Sequence, residues 1–120
     1  MIAHLVIFRP RADLTDGDRR NLADALSRAL REIPSIRRAR IGRRVVHGRP
    51  YEALMRVDYQ YVALLEFDDV AGLQSYLQHP AHEALGARFF ASFEEALMYD
   101  FELKDGEDGI AELLRAAGAE

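Results

Sequence analysis

Residues 2–9 read IAHLVIFR, an almost unbroken apolar run rich in β-branched and aromatic side chains. A run of that kind is a strand covered on both faces rather than on one. Pro10 closes it, because proline has no N–H to give to a strand ladder. Side chains alternate across a strand. Ile2, His4, Val6 and Phe8 therefore share one face, and Ala3, Leu5 and Ile7 share the other. His4 is the one polar group on its face.

After this strand, Thr15 with Asp18 three residues on forms a helix start. Leu22, Leu26, Ala29, Leu30 and Ile33 follow at helical spacing, and Pro34 stops the pattern. This predicts a first helix over 15–32. Residues 35–47, SIRRARIGRRVVH, predict a second strand. Its alternation is poor, Gly42 suggests a bulge or a register change, and its arginines suit a charge-protected sheet edge. Residues 48–56 are a loop, with at most one helical turn. Residues 57–67, VDYQYVALLEF, predict a third strand, with Tyr59, Tyr61, Ala63, Leu65 and Phe67 on one face. Asp68 or Asp69 caps a second helix bearing Val70, Leu73, Tyr76 and Leu77. A further helix over 80–95 carries Ala84, Leu85, Phe89 and Phe93, and residues 96–103, ALMYDFEL, form the last strand. DGEDG, residues 105–109, is a linker before a short amphipathic helix, IAELLRAA.

The order βαββαβ predicts an α+β, ferredoxin-like sandwich, a four-stranded antiparallel sheet with helices on one face. The domain spans 1–104, and 105–120 is a linker and tail. Strands one, three and four are apolar on both parities, yet the helices can cover only one face. The other face must be buried by something. A second copy of the sheet is the expected cover, which predicts a homodimer closed into an α/β barrel. Ile110, Leu113 and Leu114 of the tail form a stripe expected to dock on the partner subunit.

The 120 residues, 49% hydrophobic and 30% charged, suit one small domain. Net charge is −4, which gives no reason to expect a nucleic-acid partner. Residues 1–60 carry 13 basic and 7 acidic side chains, whereas 61–120 carry 3 and 13. The halves can attract each other within one fold or across a dimer. No apolar run approaches the ~20 residues of a membrane span. The absence of cysteine removes disulfides and thiolate chemistry, and the expected location is the cytoplasm.

AHLVIF at the start, IPSI after the first helix, LEFDDVAGLQSYLQHPAHEAL and the closing YDFEL together resemble the stress-responsive dimeric α/β-barrel (Dabb) family. The resemblance covers about residues 2–103 and implies a ferredoxin-like dimer. Within the family it extends to plant polyketide cyclases of olivetolic acid type, which use a histidine base and a tyrosine in a pocket between sheet and helices. That resemblance implies His82 as the base, with Tyr76, His4 and Asp100 at the matching polar positions. It departs in the pocket wall, where Leu26 stands for a tyrosine and Phe93 for a tryptophan.

The residues themselves allow this chemistry. A neutral imidazole can take a proton from carbon flanked by carbonyls. Asp100 is expected to orient His82, with Tyr76 and His4 steadying the carbonyl and enolate. Val6, Phe8, Tyr61, Ala63, Leu65 and Met98 form the expected floor of the substrate pocket, and Leu85 joins Tyr76 and His82 in its roof. Each polar group also has a plainer reading: His79 and Pro80 as a helix start with His82 in its first turn, Tyr76 and His4 as satisfied core residues, Asp100 as a buried paired carboxylate. His79, His82 and Asp100 could ligate a metal, but no cysteine or second histidine pair supports that. There is no glycine-rich phosphate loop and no G-x-S-x-G elbow, so no cofactor is expected. The function expected is a cofactor-free cyclase, isomerase or lyase on a small keto or aromatic substrate, or else a non-catalytic stress-responsive dimer or binder of small hydrophobic ligands.

Overall fold

The computed structural model describes residues 1–115. Strand β1 is Ile2–Pro10, helix α1 Asp16–Glu32, β2 Arg38–Arg43, β3 Tyr61–Phe67, α2 Val70–Gln78, α3 Pro80–Ser92, β4 Phe93–Glu102 and α4 Gly106–Ile110. The sheet runs β2-β3-β1-β4 with every neighbour antiparallel. This is the expected ferredoxin-like order.

Register assigns the faces. His4 stands opposite Leu65 and Asp100, and Val6 opposite Ala63 and Met98. Leu5 stands opposite Leu64 and Tyr99, and Ile7 opposite Val62 and Leu97. The first set faces the helices. Ile2, Leu65 and Phe67 pack there with Ala29 of α1, with Ile33 just beyond its end, and with Leu73, Tyr76, Ala81 and Leu85 of α2 and α3. On the helix-free face Leu97, Tyr99 and Phe101 remain exposed.

The helices begin as their sequence dictates. The Thr15 hydroxyl accepts from the Asp18 N–H, and the Asp18 carboxylate accepts from the Thr15 N–H, each at 3.1 Å. Both bonds satisfy donors that the first turn leaves unpaired. Of the two candidate caps for α2, Asp69 serves, accepting from the Gly72 N–H at 2.9 Å.

Several boundaries and one local feature differ from expectation. β2 covers only Arg38–Arg43, because β3 begins at Tyr61, opposite Arg43, and offers 44–47 almost no partner strand. Val45 and Val46 are exposed there. Gly42 pairs in register with Val62, so β2 has no bulge, and the irregularity lies instead at Arg9–Pro10, against β4. α3 ends at Ser92 and passes directly into β4 at Phe93. The stretch read as a linker is helical at Gly106–Ile110, and a 3₁₀ turn, Ala111–Leu114, stands where the tail helix was expected. Ala116 and Ala117 of that expected helix lie outside the described residues. β2 is a sheet edge, as its arginines indicated.

Candidate active site between the sheet and helices α1 and α3

One residue sets the geometry of the site. His79 ends α2 by giving its N–H to the Tyr76 carbonyl at 3.2 Å, and its own carbonyl accepts from the His82 N–H at 3.0 Å. Its Nδ1 caps α3 by accepting from the Ala81 N–H at 3.0 Å. Pro80 takes the first helical position, where a missing N–H costs nothing. Tyr76 and His82 thus flank a tight corner, three residues to either side. Their rings meet edge to face, with centroids 4.6 Å apart. The plain reading of His79 as a capping residue is correct.

From the sheet, His4 rises beneath Tyr76, with ring centroids 5.6 Å apart. His4 is 7% exposed. Its Nδ1 donates to Asp100 Oδ1 at 2.6 Å. A carboxylate only accepts, so this bond fixes the tautomer with hydrogen on Nδ1 and leaves Nε2 free. The expected partnership of Asp100 with His82 is therefore corrected. Antiparallel pairing of β1 with β4 sets Asp100 directly opposite His4, and that neighbour takes its carboxylate.

His4, Tyr76 and His82 line a cavity of about 250 Å³. The expected wall residues Val6, Phe8, Ala63, Leu65, Leu85 and Met98 line it too. Tyr61 does not border this cavity. It stacks on the outer side of Phe8 with centroids 5.5 Å apart and borders a separate surface notch. Phe93 packs on Phe89 and Phe90 rather than on the cavity itself. Leu26 lines the wall, and with it Leu22, Leu77, Gly86, Phe89 and Phe90, which sequence reasoning did not place there. Leu22 could have been found, since it shares the stripe of Leu26 one turn earlier.

Electrostatics separates the three rings by role. Burial first, then the nearby His4, hold His82 below its ordinary value of 6.5, although the Leu77 backbone carbonyl favours its protonated form. His82 is therefore neutral at pH 7 and able to accept a proton. Burial, reinforced by the Asp100 charge, pushes the Tyr76 phenol up to about 12. Tyr76 keeps its hydrogen and can only donate it as a hydrogen bond at ordinary pH. The arrangement can take up a proton at one point of an apolar space and offer hydrogen bonds beside it.

Comparison with known proteins places the chain in a family. Olivetolic acid cyclase of Cannabis sativa is 21% identical over 100 residues, which are 83% of this chain and 94% of that protein. A dimeric ferredoxin-like protein from Jannaschia sp. CCS1 superposes with a TM-score of 0.66 at 26% identity, covering 85% of this chain and 98% of that one. Hydroxynitrile lyase from Passiflora edulis superposes with a TM-score of 0.73 at 14% identity, over 88% and 94% of the two chains. At that identity the likeness is one of fold. With residues 2–103 matching the stress responsive A/B barrel domain, Dabb, from the first strand to the end of the last, the chain belongs to that family.

Proposed function

We propose that this chain is a cofactor-free enzyme of the cyclase or lyase kind, which removes a proton from carbon beside a carbonyl in a small keto or aromatic substrate. The observation that carries this reading is the row His4–Tyr76–His82 along one wall of an otherwise apolar cavity, with Asp100, which does not border it, holding His4. Neutral His82 takes the proton from carbon, and the electron pair moves onto the carbonyl oxygen. Tyr76 donates a hydrogen bond to that oxygen. His4, held through its Nδ1–H by Asp100, packs beneath Tyr76 and positions that donor, so Asp100 serves His4 in place of the base. In a cyclase the enolate carbon then attacks a second carbonyl of the same molecule, whose oxygen takes the proton back from His82; in a lyase the sequence runs in reverse, His82 taking the hydroxyl proton as the carbon–carbon bond breaks. The name of the cyclase relative points the same way.

We also propose that two copies pair through the helix-free sheet face. That face exposes Leu97, Tyr99 and Phe101 beside the half-buried Leu5, Ile7, Val62 and Leu64. Such a contiguous apolar patch marks an interface, and the Jannaschia neighbour is described as dimeric.

The catalytic reading is tested by deuterium exchange at the carbon between the carbonyls of a β-keto thioester, followed by proton NMR. The wild-type protein should accelerate exchange over buffer. His82→Ala should lose about 10²–10⁴-fold, the usual worth of a positioned base, with an unchanged circular dichroism spectrum. A wild-type protein that binds the thioester without accelerating exchange would instead be a binding protein for small hydrophobic ligands.

A further inference from the structure

Beside the cavity lies a second concavity, a surface notch of about 380 Å³. Arg19 of α1, Arg43 and Arg44 at the end of β2, and Asp58, Gln60 and Tyr61 before and at the start of β3 border it. Arg44 is already committed, its Nη1 donating to Asp58 at 2.7 Å. Among the described residues no carboxylate approaches Arg19 or Arg43 within 4.0 Å. The Arg43 guanidinium instead lies 5.9 Å from the centroid of the Tyr61 ring, a stacking that holds a flat donor group in place. The notch thus carries two unneutralised guanidinium groups around one neutralised pair.

Two contacts tie this notch to the cavity. Tyr61 borders the notch, and the Phe8 ring on which it stacks borders the cavity. Arg19 stands three residues before Leu22 on α1, about 4.5 Å along the axis and on the same side of the helix. Leu22 is cavity wall. The two concavities lie on either side of the stacked Phe8–Tyr61 pair, the first apolar and the second cationic.

We infer that Arg19 and Arg43 form a subsite for an oxyanion at one end of the ligand whose apolar part fills the cavity. The inference rests on the cavity's being a ligand site, as proposed above, and adds the substrate class: an acyl or aryl compound bearing a carboxylate or a phosphate. Guanidinium groups suit both anions through paired N–H donors. Arg44 and Asp58 also border the notch, paired with each other.

The probes are octanoate, octyl phosphate and octanol, which share a chain and differ at its end, titrated calorimetrically against the full chain. The wild-type protein should bind an anionic probe about tenfold tighter than octanol, the effect of one or two charge-assisted hydrogen bonds near a surface. The preference should shrink as salt rises from about 0.05 to about 0.5 M. Whichever anion binds tighter tells a carboxylate end from a phosphate end. Arg19→Gln with Arg43→Gln should abolish the preference and leave octanol binding unchanged. Equal binding of all three probes, no binding of either anion, or a preference that survives the double substitution would overturn the subsite. Loss of carbon-acid exchange with the anion preference intact would sink the catalytic reading alone, so the two can fail separately.

Discussion

Tyr76 stands between two imidazoles, and its neighbours fix what each ring can do. His82 is held below 6.5 by burial and by His4, and Tyr76 is pushed up to about 12. The exchange rate should therefore rise with pH on an acid limb whose midpoint lies below 6.5, then stay level through pH 9. A midpoint well above 6.5 would exclude His82 as the base. The same shift links to stability. Because the folded state holds His82 less protonated than the unfolded chain, its contribution is complete above about 6.5 and is lost as pH falls from there through the depressed folded value. His82→Gln should flatten that part of the stability profile. Asp100→Asn should slow exchange through His4, by replacing a group that only accepts with an amide that can also donate and so favour the other tautomer, while leaving the acid-limb midpoint set by His82 in place. A shift of that midpoint with no change in rate would mean that Asp100 answers to His82 after all. Two members of the polar set, His4 and Asp100, were legible in the sequence because each breaks an apolar strand, whereas Tyr76 and His82 were marked by the resemblance to the cyclases. The pairing was not legible. Parity says only that His4 and Asp100 share a face, and the residue opposite Asp100 is fixed by strand register, which no single strand encodes.

Helices α1 and α3 carry cavity side chains and depend on short caps, and the two caps differ in consequence. Thr15 and Asp18 start α1 at a distance from Leu22 and Leu26. His79 starts α3 and ends α2 at once, so it holds Tyr76 against His82. Thr15→Ala and His79→Ala should each cost about 1 kcal/mol of stability, the usual loss of a side-chain cap. Only His79→Ala should also slow carbon-acid exchange, because only that corner spaces catalytic rings. Equal retention of activity in the two variants, measured beside their thermal midpoints, would show that the corner is held by packing alone. Element order, both caps and the edge position of β2 could be read from spacing and charge. The ends of β2 and β3 could not. Val45 and Val46 carry strand propensity, but propensity forms no ladder where the neighbouring strand has ended.

At the scale of the whole molecule, one face of the sheet still asks for a cover. Helices α1, α2 and α3 occupy the side of His4 and Leu65, and among the described residues nothing lies over Leu97, Tyr99 and Phe101, which are 38%, 53% and 48% exposed. Ile7 stands at the middle of this face, with Val62 on one side and Leu97 on the other. A carboxylate placed there would face the partner's apolar surface in the proposed pair. Burying it without a counter-charge is costly, and the burial of a medium apolar side chain, about 1.5–3 kcal/mol, is lost in each copy. Because a twofold interface meets itself, one substitution acts twice. Ile7→Asp should therefore give a monomer by sedimentation at micromolar concentration where the wild-type chain is a dimer. The lone subunit should unfold at a lower temperature, and the wild-type midpoint alone should rise with protein concentration. An Ile7→Asp protein of unchanged mass and midpoint would place the interface elsewhere, while leaving the cavity on the opposite face of the sheet untouched.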